Sequence, residues 1–391
     1  MRESYFFYGT LAHAPLLQAV LGHLPALRPA RAEGYAVRVA LDGTGEPRSF
    51  PVLVPAPGSR AEGVLATLSP EDAARLAWYE TGYRREKLTA QEETGGACEA
   101  WAFLPEPGRW AAGPSWDFAL WQARWGELAP LAAEEFMALR GQTSAEAALA
   151  RFANIEVRAA SRLRAAEPRP ALLRHAAGPD DVTIEALATP YAKFFAVEDY
   201  RLCHRTFRGG QSAVLTRAAF VSGDATVVLP YDARRDRVLL VEQFRTGPFA
   251  RGDANPWSLE TVAGRVDAGE TPEAAARREA VEEAGVELQQ LLAAPRFYPS
   301  PGAKSEYLYC YVGLCELPET AAALGGLEAE GEDIRAHVIG FDTMMELIAT
   351  GEIENGPLIV LAYWLERQRA RLRAEAEAGA GAEAGTAQGK A

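Results

Sequence analysis

One segment, residues 264–286, constrains the fold of this 391-residue chain more than any other. It starts with a loop that contains Gly264 and Gly269 and continues into a helix-forming stretch. Thr271 and Pro272 are typical of a helix start, and Gly285 stands where a left-handed residue often ends a helix. The segment therefore predicts a loop–helix–loop unit with its helix over residues 272–284.

Three carboxylates recur on that predicted helix. Glu279, Glu282 and Glu283 are three or four positions apart, which places them on one face within a single turn. Three negative charges this close repel one another unless a positive charge lies between them. A hard divalent cation such as Mg²⁺, which prefers oxygen ligands, meets that need. Arg277 and Arg278 are the alternative source of positive charge.

The segment resembles the signature of the Nudix hydrolases, in which glycine, glutamate and an Arg-Glu-x-x-Glu-Glu run recur at set spacings. Every fixed position is present, with Ala280 and Val286 at the apolar sites. The resemblance implies an α/β/α sandwich that binds Mg²⁺ or Mn²⁺ and hydrolyses a nucleoside diphosphate linked to a further group. By position it also implies that Glu279, Glu283 and the Ala263 carbonyl bind the metal. It implies that Glu282 is a nearby catalytic or ligand carboxylate and that Glu270 holds the loop in place.

The flanking sequence resembles the bacterial ADP-ribose pyrophosphatase branch of that family. Its blocks occur in the same order at 241–245, 256–260, 300–306, 328–335 and 355–358, within about residues 185–370. This resemblance implies hydrolysis of ADP-ribose to AMP and ribose 5-phosphate. It implies substrate contacts at Arg245, Arg265, Ser300, Pro301, Gly302 and Glu306.

Residues 325–332 form an acidic, glycine-bearing loop. The resemblance implies that Glu330 is the general base on this loop and that Glu332 is a further metal ligand. Gly325, Gly326 and Gly331 favour flexibility, and loops that close over substrate commonly complete an active site. The alternative is an ordinary acidic loop, and the choice of general base between Glu330 and Glu282 stays open.

The same branch forms homodimers that share each site across the interface. The resemblance places Phe194 and Phe195 against adenine with Arg217 nearby, and aromatic stacking on a base is physically reasonable. Ala218 and Ser222 replace charged residues of the branch, which predicts a looser adenosine pocket. The alternative for the Phe-Phe pair is a place in the core.

A second motif lies near the N-terminus, where an aromatic run ends in Tyr8, Gly9, Thr10 and Leu11. A glycine at this place lets backbone amides approach a small anionic ligand. Glu80 follows a predicted helix over residues 71–79 and stands among aromatic residues. Such apolar surroundings raise the pKa of a carboxyl group, which suits acid–base chemistry.

These two motifs resemble the γ-glutamylcyclotransferase-like (AIG2-like) fold, a small β-barrel, over about residues 3–110. In active members of that family the Tyr-Gly-Thr-Leu loop holds a γ-glutamyl group. The glutamate, here Glu80, transfers the amine proton as 5-oxoproline forms. The alternative is a non-catalytic module. The order of the two modules resembles that of tellurite-resistance proteins of the TrgB type.

The predicted architecture has two domains of mixed α and β structure. It comprises a γ-glutamylcyclotransferase-like β-barrel over 1–112, a helical connector and linker over 113–180, a Nudix α/β/α sandwich over 181–373 and a disordered tail over 374–391. The connector repeats apolar residues at helical spacing and could pack on one domain or bridge both. The tail is rich in Ala, Gly and Glu and has almost nothing to bury.

Composition excludes several other classes. The net charge of −13 disfavours nucleic-acid binding, which depends on excess Lys and Arg. No stretch reaches the roughly 18 apolar residues of a membrane span. The four cysteines form no Cys-x-x-Cys pair, which disfavours a zinc site or a disulfide framework. Residues 1–11 lack the features of a signal peptide, so we expect a cytoplasmic protein.

Overall fold

The computed structural model describes residues 2–93, 95–317, 324–326 and 331–388, with side chains through residue 379. The chain divides into two units, residues 1–169 and 170–391. The helical stretch that the sequence places in a connector belongs to the first unit. Among the described helices, none combines the length and the apolar composition needed to cross a membrane.

The N-terminal unit contains a closed barrel of five strands with a sixth strand at its edge. The strands are β1 (Glu3–Phe7), β2 (Arg28–Leu41), β3 (Pro47–Leu68), β4 (Tyr83–Glu92), β5 (Ala97–Pro105) and β6 (Ala111–Ser115). The order β3-β1-β5-β4-β2 closes because β2 also pairs with β3. The predicted β-barrel is therefore confirmed.

One feature of this barrel differs from the sequence prediction. The apolar runs at 51–55 and 63–68 predict two separate strands, with a proline- and glycine-bearing loop between them. The structure instead has one strand of 22 residues, β3. A shift in the β2–β3 register between Glu33 and Tyr35 accommodates the proline-bearing residues without ending the strand.

In the described part of residues 1–169, six helices accompany the barrel. They are α1 (Ala14–Leu21), α2 (Pro70–Tyr79), α3 (Phe118–Trp125), α4 (Leu128–Ala138), α5 (Ala145–Leu149) and α6 (Phe152–Ala165), with a 3₁₀ turn at Thr10–Ala12. Helix α2 begins with a capping box, in which Ser69 and Asp72 exchange side-chain and backbone hydrogen bonds.

Helix α4 joins the helical segment to α2 through aromatic contacts. The ring of Phe136 on α4 lies 4.5 Å from Trp78, 5.7 Å from Tyr79 and 5.4 Å from Phe152 of α6, between ring centroids. Phe136 is also almost fully buried. Apolar burial of this kind explains why α3–α6 fold as part of the N-terminal unit.

The C-terminal unit begins with a three-stranded antiparallel sheet. Its strands are β7 (Val182–Ala192), β8 (Ala196–His204) and β9 (Leu215–Val221). A mixed sheet follows, with strands β10 (Ala225–Asp232), β11 (Arg237–Phe244), β12 (Trp257–Glu260), β13 (Val262–Arg265), β14 (Gln290–Ala293), β15 (Leu308–Leu314), β16 (Leu324–Gly325) and β17 (Ile334–Gly340). Strands β10 and β15 are parallel, whereas the other described pairs are antiparallel.

Helices cover both faces of the mixed sheet. The helices of this unit are α7 (Thr246–Arg251), α8 (Pro272–Ala284), α9 (Phe341–Thr350) and α10 (Gly356–Gln388). Alanines of α8, such as Ala276 and Ala280, pack on one face of the sheet. Phe341 of α9 and Leu361 of α10 pack on the other. The α/β/α sandwich is therefore confirmed. Successive side chains along a strand point to opposite faces of the sheet, and each face has its own hydrophobic core.

The end of the chain differs from the expected disordered tail. Helix α10 continues through residue 374 to Gln388, rather than ending near residue 370. Leu372 is buried in the core, and the following residues are rich in alanine and glutamate. These residue types have high helix propensity, so the backbone keeps helical geometry even where little apolar surface is available to bury.

Candidate functional site

The strand–loop–helix unit from β13 to α8 positions the acidic residues of the C-terminal unit. The Thr271 hydroxyl accepts a hydrogen bond from the Ala274 amide and caps the helix, and Pro272 occupies its first turn. Gly285 ends the helix with a φ of 62°, in the left-handed region. The helix thus spans 272–284, as its spacing predicts, and carries Glu279 and Glu283 on one face.

Arg278 supplies the positive charge among these carboxylates. Its guanidinium lies 2.7 Å from Glu279 Oε1, 2.9 Å from Glu282 Oε2 and 3.0 Å from Glu270 Oε2. Arg277, the other arginine considered from the sequence, donates to the Leu288 carbonyl instead. Arg278 therefore ties the loop to the helix through Glu270 and offsets part of the repulsion on the helix face.

Glu283 is the most buried carboxylate of this cluster, with 2% of its surface exposed. Its Oε2 atom accepts a hydrogen bond of 3.1 Å from the Ala263 amide, which joins α8 to β13. Burial, with a smaller contribution from Glu279 and Glu332, raises the pKa of Glu283 to about 8. Burial also raises the pKa of Glu279 to about 7. Both carboxyl groups therefore gain from a nearby cation.

Gly264 is required by the close approach of strand and helix. A Cβ atom at this position would lie 1.8 Å from Glu279 Oε1 and 2.0 Å from Glu279 Cδ. No side chain fits in that space unless Glu279 moves. The glycine that opens the predicted signature thus allows the carboxylate of α8 to lie directly against β13.

The carboxylates of this cluster suit a hard divalent cation, although Arg278 contacts three of them, those of Glu270, Glu279 and Glu282. Within the described residues, no three Asp, Glu, His or Cys side chains converge as a metal site. The donor chemistry nevertheless fits, because Glu279 and Glu283 are one turn apart and the Ala263 backbone lies beside Glu283. The raised pKa values of both carboxyls indicate a shortage of positive charge at this place.

The acidic loop is only partly described. Glu330, predicted as general base, lies outside the described residues. Glu332 is described, and its charge contributes to raising the pKa of both Glu279 and Glu283. The fold therefore brings Glu332 close to the helix carboxylates, although about 50 residues separate them along the chain.

Arg245 lies next to this cluster but is bound to another residue. Its Nε and Nη2 atoms donate to the two carboxylate oxygens of Glu260, at 3.0 and 2.8 Å. Glu260 is almost fully buried. The charges of Glu283 and Glu332 also act on Arg245. The sequence assigned no role to Glu260, which orients this arginine through a bidentate ion pair.

The predicted adenine-side residues form an aromatic cluster. The guanidinium carbon of Arg265 lies 4.0 Å from the ring centroid of Phe194, whose side chain is 51% exposed. Phe195 contacts both Phe194 and Phe220, at centroid distances of 4.7 Å each. Phe194 is therefore not a core residue, and it lies beside an arginine that follows Gly264.

The loop with Ser300, Pro301 and Gly302 adjoins this cluster. Its Ala303 carbonyl accepts a bond from the Phe220 amide, and the Ser305 amide donates to the Phe220 carbonyl. Glu306 lies 3.8 Å from Lys304 in an ion pair. Arg217 lies on β9 and donates to the Thr216 carbonyl. In the described part of the chain, no hydrogen bond or ion pair joins Arg217 to the other predicted substrate residues.

A second candidate site is a cavity of about 330 Å³ in the N-terminal unit. Its walls include Tyr8, Gly9, Thr10 and Leu11 of the predicted ligand loop, together with Glu80. Glu80 follows α2, and burial raises the pKa of its carboxyl group to about 7. A Cβ atom on Gly9 would lie 2.6 Å from Pro51 Cγ, so the loop approaches β3 closely.

The cavity contains a carboxyl group that the sequence reading missed. Glu156 of α6 lines the same cavity, and burial raises the pKa of this group to about 7. In the sequence, Glu156 stands 76 positions after Glu80, between the apolar residues Ile155 and Val157. The one sequence signal for a buried Glu156 is its position between two apolar residues, which are buried in the structure. This signal is weak.

Comparison with known families divides the chain in the same way as the structure. The family model described as "NUDIX domain" matches residues 221–359. The model described as "Gamma-glutamyl cyclotransferase, AIG2-like" matches residues 5–121. The second match ends before α4, α5 and α6 begin.

Curated relatives match the C-terminal half. The ADP-ribose pyrophosphatase of Escherichia coli (strain K12) is 39% identical over 189 residues, which cover 48% of this chain and 90% of that protein. The ADP-ribose pyrophosphatase of Haemophilus influenzae is 36% identical and is covered over 86% of its length, against 48% of this chain. A GDP-mannose pyrophosphatase of Escherichia coli O1:K1 / APEC is 32% identical, over 41% of this chain and 83% of that protein.

Proposed function

The chain belongs to the Nudix family through its C-terminal unit, and we propose that this unit hydrolyses ADP-ribose to AMP and ribose 5-phosphate with Mg²⁺ as cofactor. The observation that carries the proposal is the Arg278-centred cluster of Glu270, Glu279 and Glu282 beside buried Glu283. The identity with two ADP-ribose pyrophosphatases along most of their length supports the choice of substrate.

Each part of the substrate has a counterpart among these residues. Glu279, Glu283 and the Ala263 carbonyl would hold the cation, with Mn²⁺ as the alternative to Mg²⁺ and Glu332 as a further ligand. A bound cation of this kind neutralises phosphate charge and lowers the pKa of a water ligand. Glu330 or Glu282 would then accept the proton of the attacking water. The water oxygen would join one phosphorus, the bond from that phosphorus to the bridging oxygen would break, and AMP and ribose 5-phosphate would be released.

The rest of the substrate would lie along the aromatic cluster and the neighbouring loop. Phe194 and Phe195 offer a stacking surface for adenine, with Arg217 of β9 nearby in this proposal. Arg245 and Arg265 supply positive charge for phosphate. The loop residues Ser300, Pro301 and Gly302, with Glu306, would contact the remainder.

An assay on ADP-ribose tests this proposal directly. Purified protein is incubated with ADP-ribose, UDP-glucose or GDP-mannose, with and without Mg²⁺, and phosphate is measured after phosphatase treatment. We expect ADP-ribose to be the best substrate and to require the cation. Preference for another sugar nucleotide would favour the rival reading of a different nucleoside diphosphate sugar, which the 32% identical GDP-mannose pyrophosphatase keeps open. Binding of ADP-ribose without turnover would favour a sensor.

A homodimer and a cytoplasmic location complete the proposal. The first sheet of the unit exposes apolar side chains at Val182, Ile184, Leu187 and Tyr191, each at least 46% accessible. Such a surface favours burial against a second copy. All four cysteines are free thiols, which suits a reducing compartment. Light scattering on the full chain tests the dimer, and a monomer at micromolar concentration would contradict it.

We further propose γ-glutamyl cyclotransfer in the N-terminal cavity, because Glu80 stands there beside the Tyr8-Gly9-Thr10-Leu11 loop. The α-nitrogen of a γ-glutamyl amine would attack its own γ-carbonyl carbon. The bond to the leaving amine would break, and Glu80 would carry the proton from the attacking to the departing nitrogen. Formation of 5-oxoproline from γ-glutamyl amines tests this activity, and loss of product in Glu80→Gln is the expected result.

A further inference from the structure

The N-terminal cavity has a wall that the cyclotransferase-like domain does not provide. Leu149, Ala150, Phe152, Ala153 and Glu156 line it, and all of them lie beyond residue 121, where the family match ends. They belong to α5, α6 and the residues between them. The helical segment over residues 118–165 therefore completes this cavity and contributes one of its two carboxyl groups.

Those two carboxyl groups have no counter-ion in direct contact. In the described chain, neither the Glu80 nor the Glu156 side chain has a hydrogen bond or an ion pair within 4.0 Å. Both groups line the same cavity as Tyr79, and the charge of each acts on the Tyr79 hydroxyl. Arg48 is the cation that acts on Glu156, but its guanidinium is exposed and paired with Asp42 at 3.6 Å.

The two carboxyl groups reach the cavity from different elements. Glu80 follows α2, and its charge acts on Tyr8 and Tyr83, which belong to the ligand loop and to the start of β4. Glu156 lies on α6, and the charge of Arg48, near the start of β3, acts on it. Glu156 therefore belongs to the wall that α5 and α6 add to the cavity.

The surroundings of Glu156 select the chemistry of a ligand. The cavity is large enough for a small molecule and is lined mainly by aromatic and aliphatic side chains. Its charged lining residues are Glu80, Glu156, Arg48 and Arg109. Phe50 and Trp110 pack edge to face at 5.2 Å in its wall. A buried carboxylate without a partner is costly, and an ammonium group offsets that cost with charge and hydrogen bonds. Aromatic faces also attract ammonium groups.

We propose that Glu156 binds the ammonium group of a small primary amine in this cavity, so that the helical segment sets the specificity of the site. The inference rests on the proposed cyclotransfer, because that reaction places the amine part of its substrate in the same cavity. In that reaction Glu80 moves the proton to the departing nitrogen. Glu156 holds a second amino group of the departing amine, because the nitrogen of the γ-glutamyl amide is uncharged.

Binding of two matched probes tests the inference. Calorimetric titration of the full chain with 1-aminopentane and with 1-pentanol compares an ammonium with a hydroxyl on the same apolar chain. We expect the amine to bind at least about tenfold more tightly, as a charge-assisted hydrogen bond predicts. Glu156→Gln should remove that preference and leave pentanol binding unchanged. Glu134→Gln, an exposed position on α4, is the matched control.

Two results would overturn the inference. One is equal binding of both probes to the parent protein, which needs no variant and so does not depend on the folding of Glu156→Gln. The other is an amine preference that persists in that variant. Glu156-dependent amine binding without 5-oxoproline formation would support this inference and contradict the proposed cyclotransfer. Formation of 5-oxoproline without a preference for the amine would support the proposed cyclotransfer and contradict this inference.

Discussion

At the scale of single residues, one guanidinium organises the acidic face of α8. Arg278 contacts carboxylates from Glu270, Glu279 and Glu282, and these contacts raise its pKa further above the ordinary arginine value. Glu283 has no such contact and depends on the Ala263 amide. The four glutamates of the signature therefore have unequal environments, and the buried one is the most sensitive to substitution.

Replacing Glu283 by glutamine should reduce ADP-ribose hydrolysis by about 100-fold or more. The amide keeps the size of the side chain but removes the negative charge that would hold a cation, and even changes in residues around metal ligands commonly cost 10–100-fold. Phosphate release under saturating Mg²⁺ measures the effect. Glu287→Gln, at an exposed position just after the helix, should behave like the parent. Near-normal turnover in Glu283→Gln would show that Glu283 is not a metal ligand.

The buried carboxyls of the N-terminal cavity predict a dependence of stability on pH. The pKa values of Glu80 and Glu156 rise from 4.5 to about 7, so the folded state keeps these protons to higher pH than the unfolded state. Their contribution is therefore present in full below pH about 4.5 and is lost as pH rises to about 7. Glu80→Gln and Glu156→Gln should each stabilise the N-terminal unit at pH 8 by about 1–3 kcal/mol.

Denaturant unfolding at pH 5 and pH 8 measures this effect. The gain in the glutamine variants should shrink at pH 5, where the parent already carries the protons in its folded state. Glu134→Gln removes a carboxyl from an exposed position and should show no such difference. A gain of equal size at both pH values would contradict the raised pKa values.

At the scale of elements, the contact between β13 and α8 determines whether the acidic cluster can form. Gly264 leaves room for the Glu279 carboxylate, and Gly325 lies against the Glu283 backbone, where a Cβ atom would be 2.0 Å from its carbonyl oxygen. Helix α8 is therefore packed between strands β13 and β16, with one glycine at each contact. This close packing aligns its carboxylates with the Ala263 backbone.

Gly264→Ala should reduce ADP-ribose hydrolysis without preventing the protein from folding. The added methyl group forces Glu279 to rotate away from Arg278, and a displacement of about 1 Å at a catalytic group can cost on the order of 10²-fold in rate. We expect a cooperative unfolding transition with ADP-ribose hydrolysis reduced by that order. Gly247→Ala on α7, where nothing lies within 4 Å of the added atom, is the control. Unchanged activity in Gly264→Ala would show that the Glu279 position is not critical.

At the scale of the whole molecule, each candidate site is built from residues of one unit. The acidic cluster and the aromatic cluster both lie within residues 170–391, whereas the cavity with Glu80 and Glu156 lies within residues 1–169. Two candidate sites that share no side chain are expected to work independently. The chain thus joins a Nudix unit to a cyclotransferase-like unit without a residue common to both sites.

Glu80→Gln should therefore leave ADP-ribose hydrolysis within about twofold of the parent, since changes at sites with no shared partners are close to additive. Glu283→Gln should likewise leave 5-oxoproline formation unchanged if the N-terminal unit is active. Parallel assays of both reactions on both variants make the comparison. Loss of ADP-ribose hydrolysis in Glu80→Gln would show that the two sites are coupled.

The sequence by itself determined the local elements and the families. The spacing of Gly264, Thr271, Pro272 and Gly285 placed helix α8, because caps and turns depend on neighbouring residues alone. Glutamates three and four positions apart had to share a face for the same reason. Both resemblances rested on such short-range patterns, and both family models agree with them.

Only the tertiary structure decided which distant groups meet. Arg278 rather than Arg277 supplies the counter-charge, Arg245 pairs with Glu260, and Glu156 lines the same cavity as Glu80. Each of these outcomes depends on how packed elements orient their side chains. The helical segment likewise belongs to the N-terminal unit, because Phe136 packs against Trp78 of α2. Burial and side-chain contact arise from three-dimensional packing, and periodicity along a chain does not encode them.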